Sequence, residues 1–484
     1  MPELLSWFGF VAIVLTIAAL ASGIVERTPI SFPMIFLGLG FILGDRGLGL
    51  LHIGPHSPVL EVVAVLSLSF VLFLDAVNLR FDDLGGYWLV PVLSLGPGTL
   101  LTMLLVGGSA ALLLGLPPLD ALLLGAILSS VDPVLLRDVV HDERIPLSIR
   151  RALKTEAGTN DMVVLPIILV LATVALGKAG TPIEWAMLLG RLFVLGPLAG
   201  AAVGAVATWL EKMARSRTSI SQEYRALYGV GTLLAAYVAG EAVGGSGFVA
   251  VFVAGLVVVA MDYDLCDCFL DYGEATSEMA MLFAFLLFGA LLSTMIGSVP
   301  AVPAIVFSAI VLAVARPVAI NLVLWHVSIS RRARAFIGWF GPRGLSSLLF
   351  GLLLVTQGVP GAEGLLALAG VVVIVSVVVH GISAAPAADR YARAVARKTL
   401  AEEREATTAG LFQHEAMDVP RITPAQLVDR LKGPEPPVVL DVRTRSSFEA
   451  DKAEIPGSVR VLPDHVAEWA AGQPHGRAIV AYCT

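Results

Sequence analysis

Glu156, Asn160 and Asp161 share one apolar stretch, and Asp132 stands in another with Pro133 behind it. Arg316 precedes Pro317, and Arg343 follows Pro342. An ionisable side chain inside a long apolar run is expensive to desolvate and by default marks a path for ions or protons. Glu61 and Asp75, in an earlier run, are further candidates. For any one of these residues the plain alternative is a buried ion pair that only orders helices. That alternative weakens when the set is taken together.

In Ser129-Ser130-Val131-Asp132-Pro133, the proline has no N–H, so the Ser129 carbonyl loses its helical partner. Broken backbone at membrane depth is tolerated only where protein buries it or a cavity borders it. Freed carbonyls beside a carboxylate make a hard oxygen site suited to Na⁺, Li⁺ or K⁺; an ordinary proline kink is the competing reading. Gly341-Pro342-Arg343-Gly344 repeats the device far along the chain, with Pro342 freeing the Gly338 carbonyl. Paired interrupted helices in two halves of a chain point to an inverted-repeat transporter with a midplane site. The symmetry here is of position, not of residue identity.

Glu156 and Asn160 are four apart and share a helix face, while Asp161 is turned roughly 100° from Asn160. Two acids in one site need compensation to be ionised together. Arg316 is a suitable partner for Glu156, and Asn160 cannot titrate, which leaves Asp161 as the group that exchanges protons. Burial favours its protonated form and a bound cation favours its ionised form. Proton and cation therefore compete for one carboxylate. That competition is sufficient for antiport by alternating access, and a single exchanging carboxylate predicts one-for-one, electroneutral exchange.

The elements that must position these residues follow from composition. Of 484 residues, 57% are hydrophobic and only 15% charged, and mean hydropathy is +0.84. That composition predicts an all-α polytopic membrane protein. The net charge of −7 gives no nucleic-acid signal, and three cysteines make no disulfide framework. Apolar runs lie near 4–22, 30–44, 58–77, 88–115, 118–136, 156–176, 184–209, 224–243, 247–262, 279–297, 301–326, 333–357 and 363–386. They predict about thirteen spans, the first of them a membrane helix and not a cleaved leader. Alternate loops hold most of the basic residues, from Arg27 and Arg80 through Arg137, Arg144, Arg150, Arg151, Lys212 and Arg225 to Arg331, Arg332 and Arg334, and Arg390 to Lys398 follow the last span. The other loops hold little beyond Arg46 and Lys178. The positive-inside rule then places the C-terminus in the cytoplasm, the N-terminus outside, and the chain in a cell (inner) membrane. Residues 262–278, acidic throughout, read as a cytoplasmic loop.

Ser130 to Pro133, Glu156 with Asn160-Asp161, Ala315-Arg316 and Gly341 to Gly344 together resemble the monovalent cation/proton antiporter family of NhaP-type Na⁺/H⁺ antiporters and animal Na⁺/H⁺ exchangers. Leu93 to Thr99, with Pro97-Gly98, is similar to that family's fourth span. The resemblance covers roughly residues 1–395. It implies inverted repeats with two broken crossing helices, a core domain moving against a dimerisation domain, and a homodimer. It also implies that Asp161 carries the ion, that Asp132 and the Val131 carbonyl help coordinate it, and that Glu156–Arg316 is a structural ion pair. Arg343 is implied to offset the dipole ends of the broken helices. The partners are Na⁺, Li⁺ or K⁺ with protons, and no cofactor is expected. Ala157 departs from the pattern, because some NhaP-type members have a serine ligand there; Ser130 or Thr159 is available to replace it. Na⁺ and Li⁺ come first in this reading and K⁺ second. The rival classes are a K⁺-efflux transporter or channel-like pathway, and a membrane-anchored sulfur-relay protein.

The chain divides at 1–390 (membrane domain), 391–420 (charged linker) and 421–484 (a soluble α/β unit). The last predicts a helix from Thr423-Pro424 and strands at Val438 to Leu440, near Val459 and at Ala478 to Tyr482. Leu440 to Arg443, Phe448-Glu449 and Ile455 to Ser458 resemble the rhodanese pattern, with Cys483 at the nucleophile position. Ala453-Glu454 replaces the usual Gly-His, and the anion-cradling loop does not follow Cys483. The segment reads as a fragment of such a domain without sulfurtransferase activity. Cys266 and Cys268 read as free thiols, His52, His56 and His141 as loop residues, and His326 and His380 as helix-end residues.

Overall fold

The computed structural model describes residues 31–79, 89–178, 180–218, 221–261, 263–397, 422–434, 436–474 and 478–482, together with Thr16. Apart from Thr16, the apolar run at 4–22 lies outside the described residues, as does Cys483. Each run from 30–44 onward carries helix. They are α1 (Phe32–Leu43), α2 (Pro58–Asn78), α3 (Leu89–Leu114), α4 (Pro118–Ile127), α5 (Arg137–His141), α6 (Leu147–Ala175), α7 (Pro182–Arg215), α8 (Gln222–Ala242), α9 (Gly247–Met261), α10 (Tyr263–Met295), α11 (Ala301–Val323), α12 (Arg331–Trp339), α13 (Leu345–Thr356) and α14 (Ala362–Arg397). Among the described residues, seven helical stretches are long and apolar enough to cross a membrane, and four shorter helices are equally apolar. The chain is a polytopic helical membrane protein.

Two of the short helices explain the breaks. α4 has 10 residues and α13 has 12, so each is roughly 15–18 Å long, about half the hydrocarbon thickness. Non-helical backbone separates α4 from the short turn Val134–Leu136 and α12 from α13, and the two extended segments meet: the Asp132 N–H donates to the Pro342 carbonyl at 2.9 Å. Elsewhere proline is absorbed without a break. α3, α7 and α11 each contain a five-residue π-turn, at Ser94–Gly98, Arg191–Leu195 and Val311–Ala315, spanning or preceding Pro97, Pro197 and Pro317. The wider turn re-houses the backbone groups that proline disrupts.

The helices pack as two groups. α1, α2, α7, α8, α9 and α10 form one, and α3, α4, α6, α11, α12, α13 and α14 the other, with α2 lying against α6 and α13 at the seam. A large apolar core runs through both, and a second, smaller core joins α6, α12 and α14 at the basic end.

Three details differ from the expectation. α6 starts at Leu147, so Glu156 and Asp161 lie about two and a half and about four turns inside a 29-residue helix and not at its beginning; the charged residues before Glu156 end the apolar run but not the helix. Residues 263–278 are helical, continuous with α10, because nothing but Gly273 interrupts them and acidic residues do not stop a helix. His380 is buried in mid-helix within α14, not at a helix end.

Beyond the membrane part, the α/β expectation holds for secondary structure. α15 (Pro424–Leu431) begins with a reciprocal Thr423–Gln426 capping box. β1 (Val438–Asp441), α16 (Arg445–Ala450), β2 (Val459–Arg460), α17 (Val466–Ala471) and β3 (Ile479–Tyr482) follow, in a parallel sheet of order β2-β1-β3. The central strand takes the buried positions, with Leu440, Val442 and Val461 as the core. This unit rests on the start of α6: Asp464 accepts the Leu147 N–H at 2.7 Å, and His465 meets Arg150 at 2.9 Å.

Candidate ion-exchange site

The two extended segments bring Asp132, Ser130, Arg343 and the start of α13 together. Asp132 is buried, and its carboxylate spans two helix N-termini: Oδ1 accepts from Val134 N at 2.9 Å and Oδ2 from Leu345 N at 2.7 Å. A carboxylate at two such ends is where the helix dipoles favour negative charge. The carbonyl ends are covered by cations. Arg343, fully buried, donates from Nη1 to the Ser129 carbonyl at 3.0 Å and the Ser130 carbonyl at 2.7 Å. The Ser129 carbonyl that Pro133 frees is therefore held by a guanidinium. On the other break, Arg316 Nη2 reaches the Ile337 and Phe340 carbonyls at 3.3 and 3.4 Å, and His380 Nε2 lies 3.0 Å from the Trp339 carbonyl.

The glycines of Gly341-Pro342-Arg343-Gly344 are there for room. A β-carbon on Gly341 would overlap the Arg316 side chain, and one on Gly344 would overlap the Asp132 carboxylate. Pro342 supplies the carbonyl for Asp132 N, and the Arg343 amide donates to Ser376 Oγ at 2.7 Å.

α6 presents the acids. Glu156 and Arg316 form a buried pair, 2.7 Å from Oε1 to Nη1, each no more than 3% exposed. Asp161 is 1% exposed and receives a hydrogen bond from the Ser130 hydroxyl, and Ser346 lies near it. Ser130 thus provides a hydroxyl at the site where Ala157 provides none. Thr159 does not, since its hydroxyl donates back to the Thr155 carbonyl at 2.6 Å. Asn160 Nδ2 donates to Thr99 Oγ1 at 2.9 Å, just past the π-turn of α3. Val131 is fully buried at the first break.

Across the seam, Asp75 of α2 faces α6: a β-carbon on Gly158 would sit 3.4 Å from its Oδ1. Asp75 is within electrostatic reach of both Asp161 and Asp132. Glu61, nearer the start of α2, is exposed and away from this cluster. Asp75 Oδ2, Asn160 Oδ1, Glu156 Oε2, Ser94 Oγ and Ser347 Oγ are buried without a hydrogen-bond partner among the described residues. Buried oxygens left unpaired are unusual and mark places where water or an ion belongs. Sequence reasoning missed Ser346, Thr99 and Ser376; the signal was a small hydroxyl residue inside an apolar run, beside a glycine or proline break.

The chain is similar in sequence and fold to known transporters. A family profile described as "Sodium/hydrogen exchanger, transmembrane" matches residues 12–390. The "K(+)/H(+) antiporter NhaP" of Alkalimonas amylolytica is 27% identical over 456 residues, covering 93% of this chain and 76% of that protein. The "K(+)/H(+) antiporter NhaP2" of Shewanella sp. (strain ANA-3) is 28% identical over 79% of this chain, which spans 66% of that relative's length. The "Na(+)/H(+) antiporter NhaG" of Bacillus atrophaeus is 24% identical over 78% of this chain and 74% of its own. Among solved structures, the sodium proton antiporter MjNhaP1 of Methanocaldococcus jannaschii at pH 8 superposes with a TM-score of 0.67 at 21% identity, covering 81% of this chain and 100% of that one.

Proposed function

This chain belongs to the sodium/hydrogen exchanger family, and from that premise we propose that it exchanges a monovalent cation for a proton by alternating access, with both competing for Asp161. The observation that carries the reading is the environment of that carboxylate. It is buried and accepts from the Ser130 hydroxyl, and among the described residues no arginine pairs with it, whereas Glu156 is committed to Arg316 and Asp132 to two helix ends. Of Asp132, Glu156 and Asp161, the last is the one held neither by an arginine nor by helix-end amides among the described residues. The Ser130 hydroxyl, the Val131 carbonyl, Asp132 and Asn160 are the oxygens we assign around the cation. Dehydration of the ion is offset by such hard ligands. One exchanging carboxylate makes the cycle electroneutral, and the protein acts as a homodimer in a cell membrane with its C-terminus in the cytoplasm.

Na⁺ or Li⁺ is the first reading. K⁺ is the second, favoured by the names of the Alkalimonas and Shewanella relatives and by Ala157, which removes a short-range hydroxyl that a small ion would use. Everted vesicles with an acid interior and a fluorescent pH probe test both. Adding Na⁺, Li⁺ or K⁺ should release the gradient, whichever ion is effective identifies the substrate, and Asp161→Asn should abolish the response. Normal exchange by that variant refutes the assignment, and a rate that follows membrane potential refutes one-for-one exchange.

A further inference from the structure

At the basic end of the second helix group, α12 and α14 diverge around a cavity of about 520 Å³. α12 contributes Arg332, Ala335, Phe336 and Trp339, spaced i, i+3, i+4, i+7 on one face. α14 answers with Ala387, Arg390, Tyr391 and Ala394 at the same spacing, with Arg393 and Arg397 at the rim. The alanines leave the room and the aromatic rings make the floor. Phe336 stacks on Tyr391 at 4.6 Å, and Trp339 Nε1 donates to Ser383 Oγ at 3.1 Å.

The charge is one-sided. Arg332, Arg390, Arg393 and Arg397 are exposed, no carboxylate is among the lining residues, and among the described residues none of the four is in an ion pair. The nearby Asp389 is taken by Arg144 at 2.6 Å. Four guanidinium groups around one hollow repel one another unless an anion lies between them, and planar guanidinium forks suit phosphate oxygens. The place also matters. The apolar run of α14 gives way to charge at Pro386, and α12 begins at Arg331, so the cavity sits where hydrocarbon meets headgroups on the arginine-rich side. A soluble phosphate would use the rim and leave the aromatic floor unused; a lipid uses both.

We infer that this cavity binds an anionic phospholipid, its phosphodiester held by Arg332, Arg390 and Arg393 and its glycerol and upper acyl chains on the Phe336–Trp339–Tyr391 floor. Basic pockets between membrane helices hold such headgroups. The floor ends at Phe340, whose carbonyl is held by Arg316, so an occupied cavity buttresses the second broken helix.

The test is native mass spectrometry of the full chain released from micelles holding equal phosphatidylglycerol and phosphatidylcholine. Wild type should retain phosphatidylglycerol preferentially. Each of Arg332→Gln, Arg390→Gln and Arg393→Gln should lower that retention about fivefold, with cation/proton exchange in neutral-lipid vesicles preserved. Ala394→Trp, which fills the hollow and keeps every charge, should remove retention as well. Equal retention of the two lipids, or retention unchanged in these variants, overturns the inference. So does complete displacement by millimolar inorganic phosphate, which would make the site one for a free anion. If Glu402→Gln/Glu403→Gln/Glu405→Gln raises lipid retention tenfold or more, the acidic stretch after Arg397 is the resident ligand and the lipid assignment also fails.

Discussion

Ser130 faces two ways: its carbonyl accepts from Arg343 Nη1 at 2.7 Å, and its hydroxyl donates to Asp161. The residue at the first break is thus the residue that touches Asp161, the carboxylate proposed to exchange, and a cation on the second broken helix fixes it. Replacing Arg343 should damage both ends of that link. Arg343→Ala leaves two buried carbonyls without a donor, at about 1–3 kcal/mol each. It should lower detergent-solubilised thermal stability and abolish exchange. Arg343→Lys, a point charge without a fork, should recover much of the stability and little of the exchange. Full exchange in Arg343→Ala would show that the cap is dispensable.

Much of this was legible in the sequence because proline writes its effect locally. Pro133 and Pro342 named both breaks, and Ser129 named the first carbonyl to look for. The resemblance named Arg343 for the broken-helix ends, but its bond to that carbonyl was not legible, since the two lie more than two hundred positions apart and meet where Asp132 N and the Pro342 carbonyl bring the two extended segments together. The pairing of Glu156 with Arg316 could be argued from charge alone. Asp75 could be flagged as costly, but not placed against Gly158, because that contact crosses the seam between the helix groups. Length misled in α6 and α10: hydropathy marks where lipid ends, and a helix ends only where its backbone or its caps say so.

Arg316 carries two loads, the Glu156 carboxylate and the carbonyl end of α12. Arg316→Ala should therefore destabilise by about 3–5 kcal/mol, the usual effect of stranding a buried charge. Glu156→Gln alone should be milder, because the amide oxygen still accepts from Arg316. In the double variant, Arg316→Ala with Glu156→Gln, part of the loss should return, as the stranded carboxylate is gone. The remainder measures the α12 cap. Thermal melts of the four proteins give the cycle, and additivity of the two single changes would contradict a direct pair.

In the C-terminal unit, Asp441 is surrounded by donors: Arg443 Nη2 at 2.6 Å, the Arg443 amide at 3.1 Å and Arg460 Nη1 at 3.2 Å. Burial alone would raise its pKa, but hydrogen bonds from Arg443 and the charge of Arg460 outweigh it and hold the carboxyl below its ordinary 3.8. A group depressed in the folded state stabilises above its unfolded pKa and loses that contribution as pH falls through the folded value. Protection factors for the β1 amides, measured by hydrogen exchange in the full chain, should hold from pH 7 to about 4.5 and fall below about 4. Asp441→Asn should flatten that dependence and lower protection at pH 7 by about tenfold. A mutant with the same acid transition as the parent would assign the transition to another group.

Gly341 and Gly344 occupy matching ends of the second break, but different side chains press on them, Arg316 on the first and Asp132 on the second. The consequences of adding a methyl group should differ accordingly. In Gly341→Ala the obstructed group is a long guanidinium stem, which can shift at the expense of its bonds to the α12 carbonyls, so stability should fall while some exchange survives. In Gly344→Ala the obstructed group is a carboxylate on a short stem, held by Val134 N and Leu345 N at once. Moving it releases one helix N-terminus or the other and displaces Ser130, two residues away, from Asp161. Exchange should then fall at least tenfold, with the apparent cation affinity weakened along with the maximal rate. Vesicle assays across cation concentration separate the two effects, and a Gly344→Ala protein with parental affinity would mean that Asp132 is not coupled to Asp161.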